Sequence, residues 1–403
     1  MDGQHNCIQG QMDSYIKRID IALQNHTGGW VKRFRFELQF FHELSAHHIN
    51  HWLDAAIPGI EELTLELPRD DKMKYRFPCK LLFEKGCSIQ SLCLYSCAFR
   101  PDLGACSFRN LKRAYFSLVH ITTEELWTFL YNSLSLEHLE LGFCHEIDCL
   151  KYLAHCSCLI SCGSDDATCC IAPNVETLFL MSANEVGYFY PLIVQPHGRF
   201  LHLKYLELAI VGPRDYGFGY QYAYLVTFLR ASPVLETFIL HVEESAKEPY
   251  PLVFNPKYLK IHLSPEHSHQ SIKHVTVTGF CHKQELVELI FYILENATSL
   301  QCLTLDNRIR GFGKDLVACI TQDTGTHDYQ EWWNNFGVKE RILHFFRREF
   351  YPKSDWEAYC SYVAIRKYII ERVPSSVELK IPVVPSDEII SRLSKVESEL
   401  LKD

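Results

Sequence analysis

Residues Ser135–Cys144 read SLEHLELGFC. Leu136, Leu139, Leu141 and Cys144 fall in the L-x-x-L-x-L-x-x-N/C spacing of one leucine-rich repeat. The spacing has a physical meaning. Leu139 and Leu141 alternate with Glu140 and Gly142, so one strand turns its leucines to a core and the others outward. Cys144 ends the strand, where a small, weakly polar side chain can sit beside turning backbone. One such strand cannot bury its apolar face alone, so the stretch predicts neighbours of the same kind.

The alternation recurs along the chain. IEELTLEL places Leu63 and Leu65, SIQSLCLYSC places Leu92 and Leu94, and NVETLFL places Leu178 and Leu180. Ten such segments, centred on positions 34, 63, 92, 114, 139, 178, 206, 238, 275 and 303, succeed one another at intervals of 22 to 39 residues. Leucine-rich repeats run roughly 20–29 residues, and the longer intervals are read as loops. Helical periodicity fills several intervals. Residues 11–25, 43–56 and KQELVELIFYILENATSL show it, and ITTEELWTFLYNSLS carries a cap at Thr122 or Thr123. The fold class is therefore α/β: a leucine-rich-repeat solenoid, or horseshoe, with strands on the inner curve and helices on the outer one.

Composition narrows the function. At 47% hydrophobic and 22% charged, the 403 residues have room for a large core. The net charge of −9 leaves no basic footprint for nucleic acid. No apolar run approaches the 18 residues that a membrane helix needs, and MDGQHNCIQGQMDSYIKR has no apolar signal core. The expectation is a cytoplasmic or nuclear protein whose 17 cysteines are reduced. The cysteines cluster once, in a loop over 142–173 that holds Cys149, Cys156, Cys158, Cys162, Cys169 and Cys170. That spacing is not a paired zinc knuckle, so no metal is expected there. Residues 211–224 (VGPRDYGFGYQYAY) form an aromatic, glycine-containing loop, and 252–263 offer an off-period strand.

After Arg310 the pattern changes. Residues 329–350 and 355–371 read as helices, and VPSSVELKIP as a last strand through Val377, Leu379 and Ile381. The division expected is a helical cap over 1–29, repeats over 30–310, a helical and strand region over 270–385 that overlaps the last repeats, and a charged tail over 386–403.

Four stretches carry a family resemblance: SLEHLELGFCHEIDCLKYL, APNVETLFL from Ala172, SIKHVTVTGFCHKQELVELIFYILENATSLQCLTLDN and AIRKYIIERVPSSVELKIP. Together they resemble plant proteins of the F-box, leucine-rich-repeat and FBD class, the last two stretches matching its FBD region. Members begin with a helical F-box that opens on a Leu-Pro dipeptide. This chain begins where the region after an F-box would, and Leu67-Pro68 lies inside the repeats. The resemblance implies the substrate-recognition part of an SCF-type (cullin) ubiquitin ligase. A Skp-type adaptor is a partner only if an F-box lies upstream. The alternatives are a stand-alone scaffold or decoy, and a small-molecule receptor with a pocket at 211–224.

No catalytic or dinucleotide motif is present, so neither catalytic residues nor cofactors are expected. What remains is a face for an unknown target protein, built from the residues that flank the core leucines. Tyr95, Tyr115, Glu140, Phe179, Met181, Glu207 and His241 are the candidate contacts; Tyr95, Tyr115, Phe179 and Met181 lead, because an exposed apolar residue on an ordered strand wants covering.

Overall fold

In the computed structural model the stretch that opens the reading contains a strand, His138–Gly142, with strands on the same pattern before it and after it. The structure describes residues 14–25, 31–37, 44–68, 75–84, 88–101, 108–142, 144, 169–170, 174–183, 198–213, 223–245, 268–281, 283–308, 353–382 and 384–400. The chain divides into two compact units, residues 1–180 with 197–203, and residues 181–196 with 204–403.

In the first unit, β1 (Arg33–Glu37), β2 (Glu62–Glu66), β3 (Ser91–Tyr95), β4 (Arg113–Ser117) and β5 (His138–Gly142) form a parallel sheet in chain order. Their register follows the leucine pattern. Phe34, Leu63, Leu92, Ala114 and Leu139 lie side by side, and so do Phe36, Leu65, Leu94, Phe116 and Leu141. Leucines of both rows are buried. A slip of one residue would turn every one of them to solvent.

A backbone ladder holds that register at the strand entrances. The carbonyl one residue before the first pair of each strand accepts two N–H groups from the next repeat. Glu61 O takes the N–H of Gln90 and Ser91 at 2.7 and 3.1 Å, and Glu137 O takes those of Glu176 and Thr177 at 2.8 and 3.1 Å. Beyond the strands, Cys144 points its S–H at Phe116 O, 3.6 Å away, which is the part expected of a cysteine at the end of a repeat. Phe99 packs against Phe116 and Phe129 at centroid distances of 5.0 and 5.5 Å, closing the core between strands and helices.

Helix α1 (14–24) precedes β1, and α2 (Ala46–Ala56), α3 (Cys79–Glu84) and α4 (Thr123–Tyr131) lie between strands. Thr122 caps α4 in a capping box with Glu125, as the sequence predicts. Two short strands, β6 (Cys169–Cys170) and β8 (Gly198–Arg199), pair with each other. Cys169 and Cys170 thus belong to a strand, not to a loop as read from the sequence. Between them in the chain, β7 (Thr177–Ala183) contains the boundary between the two units.

The second unit repeats the scheme with β9 (Tyr205–Pro213), β10 (Thr237–Ser245), β11 (His274–Thr278), β12 (Cys302–Asp306) and β13 (Glu378–Lys380). Leu206, Phe238, Val275, Leu303 and Leu379 share one row. The entrance ladder continues, Glu236 O accepting from Lys273 at 2.9 Å and Gln301 O from Glu378 at 2.8 Å. The strand read from VPSSVELKIP is therefore one more rung, although it follows β12 only after a long stretch of chain. Helices α5 (Ala223–Ala231) and α6 (Gln284–Asn296) precede the last rungs. The expected loop over 211–224 is shortened, since β9 runs to Pro213 and α5 starts at Ala223. Residues 214–222, 252–263 and 329–350 lie outside the described residues.

The C-terminal part departs from the helix expected over 355–371. α7 (Lys353–Ala364) passes into a π-helical turn at Ile365–Ile369 and then a 3₁₀ turn at Ile370–Arg372. Ile365 and Ile369, four residues apart and so on one face, are both buried. The charged tail is a helix, α8 (Asp387–Leu400), whose Ile389, Ile390 and Leu393 pack with Tyr359, Cys360 and Val363 of α7.

The strand exits require a left-handed residue. Ser96 after β3, Leu118 after β4 and Gly279 after β11 have φ of 57°, 53° and 67°. Only Gly279 faces a second constraint. β10 runs on past its neighbour, and a Cβ on Gly279 would stand 1.8 Å from Val242 O. Gly279→Ala should destabilise the chain by about 3–5 kcal/mol in urea denaturation. Gly142→Ala, whose Cβ would meet nothing closer than 3.5 Å, should leave the midpoint unchanged.

Candidate functional site

Because side chains alternate along a strand, the residues between the buried leucines form rows on the open face of each sheet. In the first unit the middle row is Arg35, Thr64, Cys93, Tyr115 and Glu140. The row at the strand exits is Glu37, Glu66, Tyr95, Ser117 and Gly142. Tyr115 and Glu140 are therefore neighbours, with Tyr95 one row away. A third row, at the strand entrances, is Arg33, Glu62, Ser91, Arg113 and His138. None of its residues is among the candidates read from the sequence. The residue before the first core leucine faces the same way as the residue after it, and that alternation was the available signal.

The rows differ in charge. Glu62 lies between Arg33 and Arg113, at 3.2 and 3.8 Å, so the entrance row is bridged. The Tyr115 ring packs on His138 at a centroid distance of 5.0 Å. Burial holds the His138 imidazole below its ordinary pKa, and the nearby Arg113 adds to this, so the neutral ring is favoured. Burial raises the Tyr115 phenol. At the centre, the Cys93 thiol is pushed up to about 11 by burial and by the carboxylates of Glu66, Glu140 and Glu37, against a lowering from Arg35. Such a thiol is no nucleophile at neutral pH. This face offers aromatic surface, hydroxyls and charges of both signs. It is suited to contact, not to covalent chemistry.

The second unit builds a different arrangement. The Glu207 carboxylate accepts from the Tyr205 hydroxyl at 2.6 Å and meets His241 Nε2 at 2.8 Å. His241 Nδ1 lies 2.7 Å from Thr278 Oγ1. Glu207 and His241, both chosen from sequence, are thus brought into direct contact. His241, expected on the open face, is only 2% exposed. β9 and β10 both extend beyond it, so it sits inside a long paired stretch and not at a strand end. Its two ring nitrogens are taken up by Glu207 and Thr278.

An acid, an imidazole and a hydroxyl in a chain have the outline of a nucleophile relay. The surroundings oppose that chemistry. The N–H groups of Gly279 and Phe280 are already bonded to Arg308 O and Asp306 O at 2.8 and 2.9 Å. Asp306, the register partner of Thr278, is a carboxylate held by Arg308 at 2.7 Å. Its ion pair and hydrogen bonds with Arg308 keep its pKa below the ordinary value, against the effect of burial. A negative charge developing on a substrate at Thr278 would meet another negative charge and no free donor from these two amides.

Of the remaining candidates, Phe179 is half-buried on β7 in the first unit. Met181 continues β7 in the second, its backbone alone described. Cys144, Cys169 and Cys170 are the described cysteines of the cysteine-rich stretch. Among the described residues, no group of three or more His, Cys, Asp or Glu side chains could hold a metal ion. No described helix is long and apolar enough to cross a membrane.

The repeat ladder has a counterpart among known families. The family model described as At1g61320/AtMIF1, LRR domain, matches residues 22–162 and 151–385. The chain belongs to this leucine-rich-repeat family. No curated protein matches the chain. The match spans the ladder from the end of α1 to β13. The leucine-rich-repeat domain thus takes in the C-terminal rung as well as the ten segments read from the sequence.

The charge around Cys93 can be measured. At pH 8 only about one thiol in a thousand should be ionised, so alkylation at Cys93, followed by peptide mapping, should rise about tenfold per pH unit up to its pKa. Glu66→Gln removes a negative neighbour, favours the thiolate and should shift that profile to lower pH. An unshifted profile would mean that Glu66 does not face Cys93.

Proposed function

We propose that this leucine-rich-repeat chain, a protein-interaction module, is the substrate-recognition part of an SCF-type (cullin) ubiquitin ligase. The observation that carries the reading is the open face of the first unit, where Tyr95, Tyr115, Cys93 and bridged charges stand on rigid paired strands. Repeat proteins bind through such extended faces. Aromatic anchors among charges of both signs are the composition of a protein contact. The ligase assignment draws its support from the FBD-like resemblance of AIRKYIIERVPSSVELKIP, whose residues supply the π turn and the last rung β13. Contact with a Skp-type adaptor rests on an F-box ahead of the repeats.

The test is proximity labelling in plant cells with the wild-type chain and with the double variant Tyr95→Ala, Tyr115→Ala. Both tyrosines are only half-buried, so the variant should melt within a few degrees of wild type. Target proteins should drop at least fivefold in the variant and accumulate when cullin activation is blocked. Equal labelling by both chains would overturn the binding face. Targets lost from the variant that do not accumulate would overturn the ligase role and leave a stand-alone scaffold.

A further inference from the structure

The junction of α7 and α8 in the second unit encloses an open cleft of about 400 Å³. Its lining is Tyr359, Tyr362, Val363, Arg366, Lys367, Asp387 and Ile390. The apolar floor is fixed, because Val363 and Ile390 pack against the buried cluster of Tyr359, Cys360 and Leu393. The rim is charged. The π turn buries Ile365 and Ile369 and leaves Arg366 and Lys367 exposed between them.

The two cations are held by aromatic rings, not by acids. Arg366 donates to the Tyr362 hydroxyl at 3.0 Å and lies 5.7 Å from the centre of that ring. Lys367 Nζ lies 5.3 Å from the centre of the Tyr368 ring. Neither makes an ion pair within 4 Å among the described residues. The one carboxylate of the lining, Asp387, comes from the first turn of α8. Two cations and one carboxylate leave a single positive charge over an apolar floor. That balance matches one anionic group and not a dianion. A guanidinium fork pairs best with the planar carboxylate.

We propose that this cleft binds a carboxylate carried on an apolar or aromatic side group. Arg366 and Lys367 take the carboxylate, Tyr359, Val363 and Ile390 take the apolar body, and Asp387 sets the limit on ligand charge. The volume suits one amino-acid-sized group or a small acid. The chemistry is shared by a free small acid and by the C-terminal residue of a peptide chain. It is independent of the open strand face and of the ligase reading.

Isothermal titration of the full chain decides it. The probes are N-acetylphenylalanine and its amide, together with one tetrapeptide ending in phenylalanine as free acid and as amide. At least one acid should bind saturably and at least tenfold tighter than its amide. Arg366→Gln and Lys367→Gln, at exposed positions that leave the melting temperature unchanged, should each weaken it threefold or more, and Asp387→Asn should tighten it. Binding of the small acid alone identifies a free acid as the ligand class. Binding of the peptide acid identifies a chain terminus, and either result supports the site. No saturable binding of either acid, equal affinity for acid and amide, or unchanged affinity in both cation variants would overturn it.

Discussion

Every feature of this protein depends on one requirement: a parallel strand must have its backbone polar groups paired by a neighbour. A five-residue strand such as His138–Gly142 cannot meet that requirement alone. The entrance ladder meets it in the same way at each rung. One carbonyl before the strand accepts two N–H groups from the next repeat, from Lys32 to Glu137 in the first unit and from Lys204 to Lys273 in the second, and Gln301 accepts one from Glu378. Once that contact is made, the leucines of adjacent strands are forced into one row. Burial of each leucine then contributes roughly 1.5–3 kcal/mol to holding the row in place. Surface pairs such as Lys32–Glu61 and Lys273–Glu236, at 2.9 and 2.8 Å, follow the same ladder and add little, since exposed ion pairs are worth about 1 kcal/mol or less.

The ladder also explains why the candidate face is built of rows. Once the leucines face the core, the residues between them have only the open face to occupy. Their neighbours on that face lie on other strands and come from distant parts of the sequence. Tyr115 therefore meets His138, and His241 meets Glu207 and Thr278. The first unit uses its rows as surface. The second unit uses longer strands to bury part of a row and make a hydrogen-bonded chain of it. The same geometry thus yields an open polar and aromatic face in one unit and an internal polar network in the other.

How much of this the sequence showed depended on the range of the interaction. The rungs were legible because period two is local, and Leu139 and Leu141 carry it within a few residues. The last rung was legible for the same reason, although the partner of Leu379 is Leu303. The burial of His241 was not legible, because it depends on how far two strands remain paired. Leu118 in a left-handed exit was not legible either, since its sequence neighbours give no sign of it. The α8 stripe of Ile389, Ile390 and Leu393 could be seen in the sequence, but its partner surface on α7 could not. Of the candidate face, the middle and exit rows followed from the leucines, whereas the entrance row with Arg113 and His138 needed one more step of the same alternation.

The register is the claim on which both faces rest, and a cross-link tests it directly. Thr64 and Cys93 are paired across β2 and β3 on the open face, where adjacent strands stand about 4.8 Å apart, within disulfide range. Under mild oxidation, a T64C variant should form a disulfide to Cys93, identified by mass spectrometry of the digest, whereas an L65C variant, turned into the core, should not. A Cys93 cross-link in the L65C variant and none in T64C would contradict the register and, with it, the account of both faces.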